Sequence, residues 1–142
     1  MITKVNVGLI GAGRIGRVHA ENLAHRIPEV NRVVVANVFL EAAEKCVATY
    51  QISSAAQGPP TIFNDETIDV VVICSSTATH AQFITPATQA GKHIFCEKPT
   101  SYNLAKIDQA LTAEYGPDWQ IIPKLHQNLI QPRSFYRGSE WK

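Results

Sequence analysis

The chain has 142 residues, enough for one domain with a buried core and too few for two. Its 13 basic and 12 acidic side chains nearly cancel to a formal +1, which leaves no electrostatic footprint for nucleic acid or an anionic membrane and points to a small-molecule ligand. No apolar run approaches the ~20 residues needed to cross a bilayer and no signal-peptide pattern opens the chain, so a cytoplasmic location is expected.

In chain order, Val5, Val7, Leu9 and Ile10 suit a strand covered on both faces, and Gly11-Ala12-Gly13-Arg14-Ile15-Gly16 follows without a gap. Strand, glycine turn and helix together form the dinucleotide fingerprint. Gly11 permits the tight turn, Gly13 lacks the Cβ that would strike a pyrophosphate, and Gly16 lets the helix lie close on the strand. The unpaired amides at the helix start then face the phosphates. The helix is read as amphipathic, with Ile15, Val18, Leu23 and Ile27 on one side, ending near Pro28.

Residues 32–38 form a second β-branched strand, and residues 41–50 are rich in helix formers. Between Gln51 and Asp69 the only strand-like piece is Thr61-Ile62-Phe63. If that were a third strand at the sheet edge, Asn64 to Asp69 would be too short for a crossover, which normally takes a dozen residues or more. Residues 51–68 are therefore expected to be a surface connection with a vestigial strand and no crossover helix. Residues 68–74 form the most apolar strand, placed at the centre of the sheet.

Ser75-Ser76-Thr77-Ala78-Thr79-His80 is read as a polar loop at that strand's carboxyl end, the edge on which open α/β sheets bind ligands. Residues 81–90 look helical, with Pro86 opening a new turn and Gly91 as the stop. Residues 92–96 make a short strand that delivers Glu97-Lys98-Pro99 to the same edge. Ser101 is the expected cap of a further helix with Leu104, Ile107 and Leu111 on one face, closed by Gly116-Pro117. Trp119 to Ile122 reads as a last strand. The alternation of strand and helix predicts an α/β fold: a single-domain, Rossmann-like, doubly wound parallel sheet with its third strand and crossover helix reduced or missing. Cys46, Cys74 and Cys96 are widely spaced with no zinc-type pairing, so no metal site is expected, and Cys74 and Cys96 are read as small buried thiols.

Three motifs in this order, residues 11–23, Ser76-Thr77-Ala78-Thr79-His80 and residues 90–99 ending in Glu97-Lys98-Pro99, resemble the amino-terminal domain of the Gfo/Idh/MocA oxidoreductases, most of all their inositol dehydrogenase branch. The resemblance covers about residues 3–112. It implies that Gly11, Ala12, Gly13, Arg14, Ile15 and Gly16 hold the pyrophosphate of NAD, with NADP as the alternative. It also implies that Ser75, Ser76, Thr77 and His80 lie along the nicotinamide ribose, and that Glu97 and Lys98 sit near the nicotinamide and substrate, with Lys98-Pro99 in the cis form. Lys98 suits that place chemically, because an ammonium beside a carbinol can favour the alkoxide-like transition state. The substrate implied is a polyol or sugar hydroxyl. Plainer readings stay open: Lys98 as a solvated lysine before a turn, and His80 as a residue that caps or packs at a helix start.

Two features depart from the family pattern. Asn37 ends the second strand where the fingerprint expects a carboxylate about 20 residues on for the adenosine ribose; no arginine follows to grip a 2′-phosphate, so NAD is favoured, and the alternative is that Asn37 fills the turn. In the family an Asp-x-x-x-His pair comes from a second domain that also carries the oligomer interface, and this sequence reaches Lys142 where that domain is expected to begin. Residues 1–123 are accordingly read as the dinucleotide-binding domain and 124–142 as a tail towards an absent second domain. That tail carries Asn128 and Leu129 where paired arginines are usual. A homo-oligomer is compatible with the sequence but not fixed by it. The same chain is also readable as a stand-alone dinucleotide-binding module or a decayed homologue without catalysis.

Overall fold

A computed structural model describes residues 4–117 and the backbone of Leu129–Ile130. The strands are β1 (Val5–Ile10), β2 (Val30–Asn37), β3 (Ser54–Gln57), β4 (Val70–Ile73), β5 (His93–Cys96) and the two-residue β6 (Leu129–Ile130). The helices are α1 (Arg14–His25), α2 (Leu40–Tyr50), α3 (Pro59–Asn64), α4 (Thr77–Gln89) and α5 (Leu104–Tyr115). The sheet order is β3-β2-β1-β4-β5-β6, parallel throughout except that β6 pairs antiparallel with β5. From β1 the chain builds outward to β3 and then jumps back across to β4, so the strand order reverses between β1 and β4. A crevice at such a switch point is where open α/β sheets bind ligands.

The period-two alternation of the strands assigns each side chain to one of two cores. Val33, Val35, Leu9, Val72 and Cys74 face α1 and α2, where they meet Ala20, Leu23, Ala43 and Cys46. Val34, Ala36, Ile10, Val71 and Ile73 face the other side, against Ile62, Ala81, Ile84, Ala87 and Ala110. Both faces of the sheet are therefore covered, as a parallel sheet requires.

The crossover after β2 corrects the sequence expectation. The third strand is present and reduced, but it is Ser54–Gln57 and not Thr61–Phe63, which lies inside α3. Serine, alanine and glutamine carry little strand propensity, so pairing with β2 alone makes this segment extended. With the strand there, residues 58–69 are free for the return, about the dozen a crossover needs. One turn and a half of helix suffices because Gly8 of β1 leaves a hollow: a Cβ at Gly8 would lie 2.3 Å from the Ile62 side chain.

Other expectations shift in detail. The buried stripe of α1 is Gly16, Ala20 and Leu23, whereas Ile15, Val18 and Ile27 are each at least 41% exposed. Small residues set the closest contact, because a Cβ on Gly16 would fall 2.0 Å from the Gly11 carbonyl oxygen. The polar loop after β4 is only Ser75–Ser76; Thr77 to His80 are the first turn of α4, which runs through Pro86 as one helix. Asn103, not Ser101, caps α5, its side chain accepting from Lys106 N–H, while Ser101 Oγ accepts from Asn103 N–H and shapes the approach. Ala110 and Glu114 are the buried residues of α5, and Leu104 is exposed. The strand expected at Trp119 to Ile122 and the tail from residue 124 lie outside the described residues, apart from the Leu129–Ile130 backbone. None of the described helices is long and apolar enough to cross a membrane.

Candidate functional site

The carboxyl ends of β2, β1, β4 and β5 finish in one row, held by Gly11 N–H to Ala36 O, Cys74 N–H to Ile10 O and Glu97 N–H to Ile73 O at 2.8–3.0 Å. Parallel register thus brings together Asn37, the glycine loop, Ser75 and Glu97, which are up to 86 positions apart in sequence. Gly11 has φ +105°, and a Cβ there would sit 2.6 Å from Cys74 O, so the loop is wedged against the β4 terminus at the switch point.

Gly13 differs from its two partners. It is the N-cap of α1, with no side-chain acceptor for the first-turn amides, and a Cβ built on it meets nothing within 4 Å. No acidic residue occupies that first turn. Arg14 and Ile15, the first helical residues, are exposed. Backbone donors, a helix dipole and an open face therefore coincide at Gly13, an arrangement suited to an anion.

Asn37 braces this loop. Its Oδ1 accepts from Ala12 N–H at 3.2 Å and its Nδ2 donates to Phe39 O at 3.1 Å, so one lone pair and one N–H remain for a ligand. Arg17, to which sequence reasoning gave no role, donates Nε–H to Ala12 O at 3.3 Å and steadies the same loop from α1. Beyond Asn37, Val38 and Phe39 are exposed, and Phe39 occupies the α2 N-cap without a capping side chain.

At the other side of the switch point, Ser75 Oγ and Thr79 Oγ1 lie 2.7 Å apart, and Thr79 Oγ1 donates to Ser76 O. Ser76 is exposed and Thr77 half-buried. His80 is buried between two loops of this edge. It is 2% exposed, with Nδ1 2.8 Å from Pro99 O and Nε2 2.9 Å from Ser75 O. The ring is enclosed between the loop after β4 and the turn at 97–99.

Glu97 is met by His19 of α1. His19 Nε2 donates to Glu97 Oε1 at 2.6 Å, and the imidazole packs on Phe95 with centroids 5.4 Å apart. No local pattern signals this pair, because the two residues are 78 positions apart. Lys98 is exposed on the turn that follows, and the Lys98-Pro99 bond is cis. All three cysteines are free and buried. Burial, reinforced by the Glu97 carboxylate, pushes the Cys74 and Cys96 thiols up to about 12, so both remain protonated beneath the site. The groove of about 620 Å³ between α3 and α4, lined by Pro60, Phe63, Phe83 and Pro86, contains none of the predicted site residues.

Comparison with known proteins gives a concordant result. The model of an oxidoreductase family with an NAD-binding Rossmann fold, GFO_IDH_MocA, matches residues 5–116. Myo-inositol 2-dehydrogenase of Thermotoga maritima is 36% identical over 107 residues, 75% of this chain and 32% of that protein. Inositol 2-dehydrogenase of Rhizobium meliloti is 39% identical over 107 residues, again 75% of this chain and 32% of the relative. The crystal structure of scyllo-inositol dehydrogenase from Lactobacillus casei with bound cofactor NAD(H) and scyllo-inositol aligns with a TM-score of 0.72 at 26% identity, over 78% of this chain and 33% of that one. The chain spans about a third of the length of these relatives.

Proposed function

Since the chain belongs to the Gfo/Idh/MocA oxidoreductase family and carries its NAD-binding Rossmann fold, we propose that it is the nucleotide-binding part of an NAD-dependent dehydrogenase acting on a polyol or sugar hydroxyl of the inositol class. The observation that carries the reading is the contrast among the three glycines. Gly11 and Gly16 are walled in by backbone, while Gly13 opens to unfilled space beside uncapped helix amides. The residues present fit a diphosphate there: the helix start from Gly13 offers first-turn N–H groups and no competing carboxylate, while the Ala12 N–H is taken by Asn37.

Within this proposal, Asn37 keeps the loop in shape and offers its remaining N–H and lone pair to the adenosine ribose. Ser75, Ser76 and Thr77 flank the nicotinamide ribose, and Glu97 and Lys98 stand at the reacting end. When bound, the cofactor supplies nicotinamide C4 as the partner in hydride exchange with the carbinol carbon. The Lys98 ammonium holds the substrate oxygen and offsets the negative charge that develops on it. Hydride transfer needs a site closed to water, and the family pattern assigns closure and the acid/base pair to a second domain. Residues 1–123 are on this reading the dinucleotide-binding domain and 124–142 the segment leading on, in a cytoplasmic protein. Relatives named as inositol dehydrogenases and a cofactor-bound inositol dehydrogenase structure support the substrate class.

The test is a fluorescence titration of the 142-residue chain with NADH and NADPH. Saturable binding, tighter for NADH, with no turnover of inositol by the chain alone, is expected. Absence of binding to either cofactor would overturn the reading in favour of a decayed homologue, and turnover by the chain alone would refute the need for a second domain.

A further inference from the structure

We propose that His19 and His80 are a pair of positioning residues that hold Lys98 from both sides, one through each of its neighbours in the chain. The inference rests on the reading that Lys98 works beside the nicotinamide, and deepens it. Among the described residues, the turn at 97–99 has a single backbone–backbone hydrogen bond, from Glu97 N–H to Ile73 O. Pro99 has no N–H, and among the described residues Lys98 N–H finds only the Glu97 side chain, with Oε2 at 3.3 Å. The backbone alone therefore leaves the Lys98 Cα poorly fixed, although a lysine on a flexible four-carbon stem can present its ammonium reproducibly only from a fixed base.

Two imidazoles from opposite layers supply that fixation. From α1, His19 donates to Glu97 Oε1 at 2.6 Å with its ring seated on Phe95, so the carboxylate that takes Lys98 N–H is itself pinned. From α4, His80 reaches Pro99 O at 2.8 Å through Nδ1 and Ser75 O at 2.9 Å through Nε2. Both partners are carbonyls and can only accept. Each contact is a hydrogen bond only where the facing ring nitrogen carries a proton, and the one side chain lies between the β4–α4 loop and the Lys98 turn, within bonding distance of both. A histidine that merely filled core space would need no partner on each nitrogen, and a surface histidine would not be 2% exposed.

The test uses the 142-residue chain labelled with ¹⁵N-lysine, whose few lysine amides resolve Lys98 from Lys45 and Lys92 elsewhere in the fold. In the wild type the Lys98 amide is ordered. In His19→Ala and in His80→Ala its heteronuclear NOE falls while Lys45 and Lys92 are unchanged, and His19→Gln, which keeps a donor for Glu97, restores it. The same alanine variants weaken NADH about tenfold and leave ADP-ribose, which lacks the nicotinamide, bound as before. An ordered Lys98 in both alanine variants overturns the proposal, as does parallel loss at Lys45 and Lys92, which would make the histidines general fold residues. Equal weakening of NADH and ADP-ribose, or release of Lys98 with NADH affinity unchanged, also overturns it. A wild type that binds neither NADH nor ADP-ribose sinks the functional reading itself, and the lysine spectra still decide whether the clamp exists.

Discussion

A Cβ on Gly13 would meet nothing within 4 Å whereas one on Gly11 or Gly16 would strike backbone, and single substitutions should separate the roles of these residues. Gly13→Val places its side chain in open space on extended backbone (φ −75°, ψ −170°), so the melting temperature should stay within a few degrees. NADH affinity measured by titration should fall at least a hundredfold, because the methyl groups take the volume assigned to the diphosphate; unchanged affinity would move the phosphates elsewhere. Asn37→Asp should tighten NADH against NADPH by about tenfold in the same assay. A carboxylate accepts more strongly from Ala12 N–H and from ribose hydroxyls and repels a 2′-phosphate, at the cost of the donor to Phe39 O. Gly11 and Gly16 were legible in sequence because the tight turn and the close helix–strand approach follow from a missing Cβ within six positions. The brace from Asn37 to Ala12 and the His19–Glu97 contact were not, since each joins residues that only the parallel sheet brings together.

The helices show the same division. α1, α2, α4 and α5 follow from runs of helix formers and from the stops near Pro28, Gly91 and Gly116, although the α1 stripe and the α5 cap do not, whereas β3 and α3 escape these signals. A strand of serine, alanine and glutamine and a helix opened by Pro59-Pro60 carry little propensity, and tertiary pairing decides both. Between α4 and α5 lies a buried contact that no pattern signals: Thr88 Oγ1 donates to Glu114 Oε2, while Glu114 Oε1 is enclosed without a partner among the described residues. Burial raises the Glu114 carboxyl above its ordinary value, only partly offset by the Thr88 bond. A raised folded value means that the folded chain holds this proton more firmly than the unfolded one, so the contribution is full below the ordinary glutamate range and is lost as pH rises through the raised value. Glu114→Gln should therefore stabilise the chain by about 1 kcal/mol at pH 8 and by little at pH 4, read from melts at the two pH values. An equal effect at both would show that Glu114 does not titrate in this way.

For the molecule as a whole, three buried thiols on two cores provide a built-in reporter. Cys46 and Cys74 belong to the α1–α2 side and Cys96 to the other, and burial raises all three above the ordinary thiol range. In the folded chain at pH 8 a thiol reagent should modify none of them at an appreciable rate, and full labelling should appear with the same denaturant midpoint as loss of circular dichroism. Early labelling of Cys96 alone would show that the β5 side opens independently of the rest. The alternation of strand and helix along the chain was enough to read the doubly wound parallel sheet, because it depends on a pattern repeated along every element. The seating of α3 was not readable, because it depends on one absent side chain in a strand 54 positions earlier.

That seating makes the sheet keyed. With the Ile62 side chain lodged in the notch over Gly8, the short crossover has one resting place, and a single-residue insertion between Gln57 and Ile62 would turn the isoleucine by ~100° out of its socket. The four-residue outer strand bonds only to β2 within the sheet and is followed directly by this peg, so such an insertion would loosen the margin of the sheet beside Asn37 while the glycine loop stayed intact.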